Sequence, residues 1–269
     1  MRKLIGDRKF YMMLLRIAFP IMIQNGITNF VALLDNIMIG AVGTDQMSGV
    51  SIINQLIFVF NLCIFGAISG AGIFSAQFYG QGNHEGVKHS FRFKLVISTL
   101  ITVLGLVIFI LFGGRLASFY MHEGGDTGNI EATMRYSMDY LKIMLIGLFP
   151  FAVEQCYSGT LRETNETVVP MKAGIVAVCI NLVLNYILIY GKFGAPELGV
   201  EGAAIATVIA RIVECSIIII WTHTHKEKNK FIIGAYRHFT IPLSLVKNII
   251  IKGAPLLMNE CLWSAGMAM

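Results

Sequence analysis

The stretch LLRIAFPIMIQNGITNFVALLDNIMIG, residues 14–40, decides the class of this protein. Its apolar length exceeds the roughly 20 residues that an α-helix needs to cross a lipid bilayer. It also contains Gln24, Asn25, Asn29 and Asp35, which a cleavable secretion signal would not tolerate well, and it is longer than the apolar core of such a signal. We therefore predict a membrane-spanning helix that carries polar residues.

The whole chain has the composition of a membrane protein. Of its 269 residues, 55% are hydrophobic and only 14% are charged, and its mean hydropathy is +0.69. A soluble domain carries about 25% charged residues, so this chain has too few charges to cover a water-facing surface. Further apolar segments lie at about 50–79, 93–113, 136–158, 170–190 and 202–222, and a seventh begins near Ile249. The pattern predicts an all-α polytopic membrane protein built on a six-helix bundle, and it excludes a disordered chain.

Other function classes are excluded by the same residues. The net charge of +5 comes from short connectors and not from one polar face with interleaved aromatic residues, which argues against a nucleic-acid partner. The five cysteines lie in apolar runs without metal-ligand spacing, and the histidines are scattered. No HExxH, GxSxG or GxxxxGKS/T motif occurs. We expect no enzyme activity, no cofactor and no protein-built metal centre.

The distribution of basic residues predicts the orientation in the membrane. Lysine and arginine are concentrated at the amino end and in alternate short connectors, which the positive-inside rule assigns to the cytoplasm. These positions include Arg2, Lys3, Arg8, Lys9, Lys88, Arg92, Arg162, Lys172, Lys226 and Lys230. Both ends of the six-helix unit, including the amino terminus, are therefore expected on the cytoplasmic side. We expect the unit in the cytoplasmic membrane, and we interpret the cell as prokaryotic.

The start of the first span recurs 235 residues later. Aligning Pro20 with Pro255 puts Gln24 on Asn259 and Asn25 on Glu260. Because an even number of spans separates the two copies, both halves would have the same orientation, as in transporters built from parallel repeats. We expect an amino-terminal lobe at 1–222, a cytoplasmic linker at 223–248 and the start of a second lobe at 249–269. The seventh helix would be truncated, with the rest of the second lobe missing.

Polar residues inside the spans are the candidate functional residues. Gln24, Thr28 and Asp35 fall on one stripe of the first span, and Asn181 and Asn185 share a face of the fifth. An ionisable residue in a membrane helix is costly and normally faces a cavity or a partner, so Asp35 is the leading candidate for binding and releasing a proton. The alternative is that Asp35 is solvated near the outer end of its helix.

The role of Pro20 has two alternatives. It either kinks the first helix or marks the beginning of that helix.

In the sixth span Thr207, Arg211 and Glu214 share a face. We interpret Arg211 and Glu214 as a structural ion pair, because pairing makes charges tolerable in lipid.

Six motifs, in order, resemble the amino-terminal half of the MATE efflux transporters. They are Pro20, Leu34–Gly40, Ala76–Gly82, Ser158–Arg162, Val169–Met171 and Gly202–Thr207. Each motif is weak alone, but their order on six spans makes the resemblance specific, and it covers nearly the whole chain. The family has twelve helices in two six-helix lobes, which agrees with the repeat at Pro255.

The resemblance implies antiport, in which a cationic or amphipathic drug leaves the cell while protons or sodium ions enter. It assigns ion coupling to Asp35, where Na⁺ could also bind, and a bending proline to Pro20. It places Asn181, Asn185 and Thr207 in the cavity of the lobe, beside Gln24 and Thr28, and it relates Glu260 to a carboxylate of the second lobe. Many family members carry an acidic residue where Asn185 stands, so proton coupling of the same form is in question. The partners implied are small drugs and membrane lipid.

Three rival interpretations remain open at the level of sequence. A related flippase for lipid-linked saccharides should have a strongly cationic cavity, whereas Arg211 is the only basic residue well inside a span. A half-length module that works as a homodimer, or a membrane-bound enzyme, are the alternatives from other classes.

Overall fold

The computed structural model describes residues 8–123, 129–237 and 239–268, and in these residues the fold is helical without β-strands. The helices are α1 (Arg8–Gly40), α2 (Thr44–Gly80), α3 (His84–Glu123), α4 (Ile130–Met144), α5 (Leu148–Glu163), α6 (Val168–Tyr190), α7 (Gly199–Thr224) and α8 (Leu243–Ala268). The predicted all-α class is confirmed, and the six-helix unit is followed by a further helix. That further helix, α8, begins six residues before the predicted Ile249.

Five helical segments of the described residues are long and apolar enough to cross a membrane. They are Thr44–Gly80, His84–Met121, Ile130–Glu163, Val168–Tyr190 and Gly199–Thr224. Helix α1 has 33 residues, enough to span, but it is not one of the five. Helix α1 carries Gln24, Asn25, Asn29 and Asp35, polar side chains that need polar partners or a cavity in a membrane.

The predicted fourth span, 136–158, consists of two helices and not one. Helices α4 and α5 are joined by a 3₁₀ turn, Leu145–Gly147. Pro150 has no backbone N–H, and its ring clashes with the carbonyl of the residue four positions earlier, here Ile146. The backbone therefore leaves the regular α-helical pattern at this point of the span.

Small residues set how closely the helices approach. A Cβ atom added to Gly202 of α7 would lie 2.7 Å from the backbone carbonyl of Leu188 in α6. A Cβ atom on Gly70 of α2 would lie 2.7 Å from the Cα atom of Gly253 in α8. In membranes such close backbone contact replaces much of the hydrophobic driving force between helices. The glycine-rich run in α2 is thus a packing surface, as its spacing predicts.

One buried ion pair joins α3 to α5. The side chain of Lys94 is fully buried and is paired with Glu163, and its ammonium also donates to Thr160 Oγ1 at 3.2 Å. A charge at this depth is tolerated because the partner carboxylate compensates it.

Candidate functional site: a polar cavity around Asp35

A cavity of about 650 Å³ lies between α1, α2, α4, α6 and α7. This volume is within the range of small-molecule sites, which usually measure 300–1,000 Å³. Among the polar residues of its wall are Thr28, Asp35, Tyr140, Asn181, Asn185 and Thr207. The fold thus brings together side chains that are up to about 180 positions apart in the chain.

Asp35 reaches this cavity from α1 and is held by amide groups. Asn185 Nδ2 of α6 donates to its carboxylate at 2.6 Å. Of the ion pairs in the described part of the chain, none includes Asp35. A half-buried carboxylate that has amide donors but no cationic partner is a position at which a cation can compensate the charge.

Both polar atoms of the Asn181 amide are satisfied only when its nitrogen faces Asp35. In one orientation its nitrogen donates to Thr207 Oγ1 at 3.3 Å, and its oxygen accepts from Asn185 Nδ2 at 3.2 Å. That orientation turns the amide oxygen towards Asp35. Rotating the amide puts its nitrogen 3.1 Å from Asp35 Oδ2, so that it donates to the carboxylate, while its oxygen accepts from Thr207.

The satisfied orientation of Asn181 suits an ionised Asp35. Both asparagines then donate to the carboxylate, Asn185 at 2.6 Å and Asn181 at 3.1 Å. The oxygen of Asn181 lies 3.3 Å from Thr207 Oγ1 and accepts from it. These side chains therefore form one hydrogen-bonded network that links α1, α6 and α7.

Comparison with known proteins places the chain in a family. The MatE family profile matches residues 20–187, more than half of the chain. The chain belongs to the MatE family. It is 29% identical over 258 residues to the probable multidrug resistance protein NorM of Thermotoga maritima, an alignment that covers 95% of this chain and 53% of the relative. It is 27% identical over 191 residues to the multidrug resistance protein MdtK of Pectobacterium atrosepticum, with 71% of this chain and 40% of the relative covered.

Solved structures of the family show the same fold. An outward-facing MATE transporter of the MOP superfamily superposes with a TM-score of 0.79 at 21% identity, over 95% of this chain and 54% of that one. An inward-facing transporter of the same superfamily gives a TM-score of 0.74 at 20% identity, over 95% and 55%. The chain thus spans about half the length of the relatives and structures that it matches.

Seven residues were predicted for the cavity and its coupling ion, and five of them line the cavity of this MatE lobe. Thr28, Asp35, Asn181, Asn185 and Thr207 line the cavity. Gln24 lies deeper along α1, where its oxygen accepts from Arg162 Nη2 at 3.1 Å and its nitrogen lies against Gly174. The side chain of Glu260 lies outside the described residues. The roles assigned to these residues stay predictions.

Pro20 lies inside a helix and not at its beginning. Helix α1 starts at Arg8 and continues through the proline, whose side chain is buried. The alternative that the first helix begins at Pro20 is therefore wrong, and the α-helical hydrogen bond that Pro20 cannot donate is missing within the span.

The predicted ion pair between Arg211 and Glu214 is not formed. The ion pairs in the described part of the chain do not include either residue, although both line the cavity. The guanidinium of Arg211 instead lies 5.1 Å from the centre of the Phe151 ring, and its Nη1 approaches the Gly147 carbonyl at 3.5 Å. The turn between α4 and α5 supplies the carbonyl, and the first turns of α5 supply the aromatic ring.

Helices α2 and α4 contribute a wall of the cavity that was not predicted from the sequence. Tyr140 of α4 donates its hydroxyl to Asn54 Oδ1 of α2 at 3.2 Å, and both residues line the cavity. Asn61, two turns beyond Asn54, lies on the same wall and has a buried Oδ1 without a hydrogen bond. The sequence does contain a signal for this wall. Asn54 and Asn61 lie seven positions apart inside an apolar run, and residues at that spacing share one face of a helix.

Proposed function

We propose that this chain is the amino-terminal lobe of a drug exporter of the cytoplasmic membrane, which expels cationic or amphipathic compounds in exchange for H⁺ or Na⁺. The observation that carries the proposal is a carboxylate, Asp35, that faces a 650 Å³ cavity, accepts a hydrogen bond from the amide of Asn185 and belongs to none of the ion pairs of the described residues. The names of the relatives, multidrug resistance proteins, support drug export. Because the chain spans about half of those proteins, the activity belongs to a protein that also has a second lobe.

The coupling step follows from the Asn181 network. When Asp35 is ionised, the amides of Asn181 and Asn185 both point their nitrogens at it. When a proton binds, the new O–H of Asp35 donates to Asn181 Oδ1, and the amide nitrogen of Asn181 donates to Thr207. A sodium ion beside Asp35 would favour the same orientation, because its ligands are oxygen atoms. Either cation thus changes the contact between α1, α6 and α7.

The charge of the cavity wall favours a cationic cargo over a lipid-linked phosphate. Its ionisable wall residues include two carboxylates, Asp35 and Glu214, and one guanidinium, Arg211. A flippase cavity that binds phosphate groups needs an excess of positive charge. The wall of this lobe has the opposite balance, which supports drug export over the flippase alternative.

The test is ethidium efflux from energised vesicles that contain the full-length reading frame around this chain, with proton and sodium gradients imposed separately. We expect Asp35→Asn to abolish gradient-driven efflux, because an amide cannot bind and release the coupling cation. The matched control is Asp139→Asn, which removes an aspartate of α4 that is paired with Lys142 and does not line the cavity. Full efflux by Asp35→Asn would overturn the coupling role. Phosphate-dependent lipid transport without drug efflux would favour the flippase.

A further inference from the structure

One arginine of α3, Arg92, binds the backbone of the segment between α7 and α8 at several points. Arg92 of α3 is buried, with 4% of its surface exposed, and it donates to four backbone carbonyls of this segment. The acceptors are Ala235 O at 2.7 Å, Gly234 O at 2.9 Å, Arg237 O at 2.7 Å and Thr240 O at 3.1 Å. Its guanidinium also lies 5.8 Å from the centre of the Phe239 ring.

This arrangement needs an arginine. A guanidinium presents five N–H donors in a rigid plane, whereas a lysine ammonium is a compact group with three donors. Four carbonyls belonging to different residues can converge on one side chain only if its donors point in different fixed directions. After the 3₁₀ turn Lys230–Ile232, the described residues 233–237 and 239–242 form no regular secondary structure, so carbonyls there depend on such an external donor.

Other contacts fix the same segment to the same unit. Phe231 packs edge-on against Phe91 of α3, with ring centres 5.3 Å apart. The hydroxyl of Tyr236 is hydrogen-bonded to Tyr157 of α5, and its ring stacks on His223 at the end of α7. Residues Phe231, Ile232 and Ala235 are buried. The segment is therefore packed onto the unit and is not a free tether.

We propose that Arg92 is a positioning residue that makes residues 230–237 and 239–240 a fixed part of the amino-terminal lobe, so that the joint between this lobe and α8 is confined to Ile241 and Pro242. This inference rests on the proposed function, in which α8 begins a second lobe that moves against the first. The joint is short because Arg92 still bonds Thr240 and α8 begins at Leu243. A short joint fixes the position at which α8 begins. A flexible linker of some 18 residues would instead allow the first residue of α8 to vary in position by tens of ångströms.

The first experiment measures docking of the segment without measuring transport. In a background whose five natural cysteines are replaced by alanine, Ala235→Cys introduces a single thiol into the segment. Because residue 235 is 1% exposed, this thiol reacts only when the segment leaves the lobe. We expect its maleimide labelling to be at least about tenfold faster with Arg92→Ala, since losing even one charge-assisted hydrogen bond changes an opening equilibrium by about that factor. Arg92→Lys should give an intermediate rate. Lys88→Ala is the control, because it removes a basic residue of the same helix end that pairs only with the exposed Glu85.

The second experiment locks the segment in place and does not depend on how Arg92 variants fold. His89 Nδ1 lies 3.0 Å from the Thr240 carbonyl, so His89→Cys and Thr240→Cys in the same cysteine-free protein can be joined by a short bis-maleimide. If the segment stays on the lobe throughout the cycle, the cross-linked full-length protein keeps its ethidium efflux. Loss of efflux on cross-linking, or labelling of residue 235 that is unchanged by Arg92→Ala, would overturn the inference.

The two proposals fail in different ways. If the protein exports no drug at all, the labelling of residue 235 still reports whether Arg92 holds the segment. If drug export depends on Asp35 but the cross-link abolishes export, the proposed function is supported and the positioning role of Arg92 is refuted.

Discussion

Replacing Gly202 by alanine should damage the cavity through helix packing, without touching any residue of its wall. The added Cβ atom would lie 2.7 Å from the carbonyl of Leu188, and backbone atoms cannot rotate aside. Helices α6 and α7 must then separate by roughly 0.8 Å to reach the ~3.5 Å at which carbon atoms attract one another. Overpacking of this kind costs about 1–3 kcal/mol of stability.

The same displacement acts on the network around Asp35. The hydrogen bond between Asn181 of α6 and Thr207 of α7 is already 3.3 Å long. If only half of the separation reaches this point, the distance becomes about 3.7 Å, which is beyond hydrogen-bonding range. Gly202→Ala should therefore lower both the thermal stability in detergent and the rate of drug efflux.

Gly26→Ala is the matched control for this prediction. Gly26 is also a helical glycine, but a Cβ atom there would have no heavy atom within 4 Å. Alanine is favoured over glycine in a helix by up to about 1 kcal/mol, so this variant should be as stable as the parent or slightly more so. If Gly202→Ala unfolds at the same temperature and transports at the same rate as Gly26→Ala, the packing argument is refuted.

Two further predictions concern single polar groups. Thr207→Val keeps the shape of the side chain but removes the hydrogen-bond partner of Asn181. It should slow gradient-driven efflux by about fivefold, which corresponds to the loss of one neutral hydrogen bond. Thr207→Ser keeps the hydroxyl and should retain the parental rate. Lys94→Met leaves Glu163 buried without its partner and should destabilise the protein by about 3–5 kcal/mol in thermal unfolding. Adding Glu163→Gln to Lys94→Met should recover most of that loss, and no recovery would mean that the two residues do not act as a pair.

Much of the fold was predictable because a membrane limits the choices. Apolar runs long enough to span have to become helices, since lipid leaves no other way to satisfy backbone hydrogen bonds. The candidate residues Asp35, Asn181 and Asn185 were also predictable, because polar groups inside such runs need a cavity or a partner. By contrast, nothing in a pattern of hydropathy indicates that Arg92 would meet four carbonyls some 140–150 residues away. That contact depends on a tertiary fold of a segment without periodicity.

The error over Arg211 and Glu214 shows how one local irregularity changes the chemistry of a site. Their spacing of three residues allows an ion pair on one helix. Hydrogen-bond acceptors and aromatic rings on neighbouring helices can compete for the same arginine, and the sequence of one helix does not reveal them. The break between α4 and α5 places the Gly147 carbonyl and the Phe151 ring beside the guanidinium. A cation over an aromatic face and near a carbonyl is partly compensated there without an ion pair. The cavity wall consequently carries Asp35, Glu214 and Arg211, and none of the three belongs to an ion pair in the part of the chain that the structure describes.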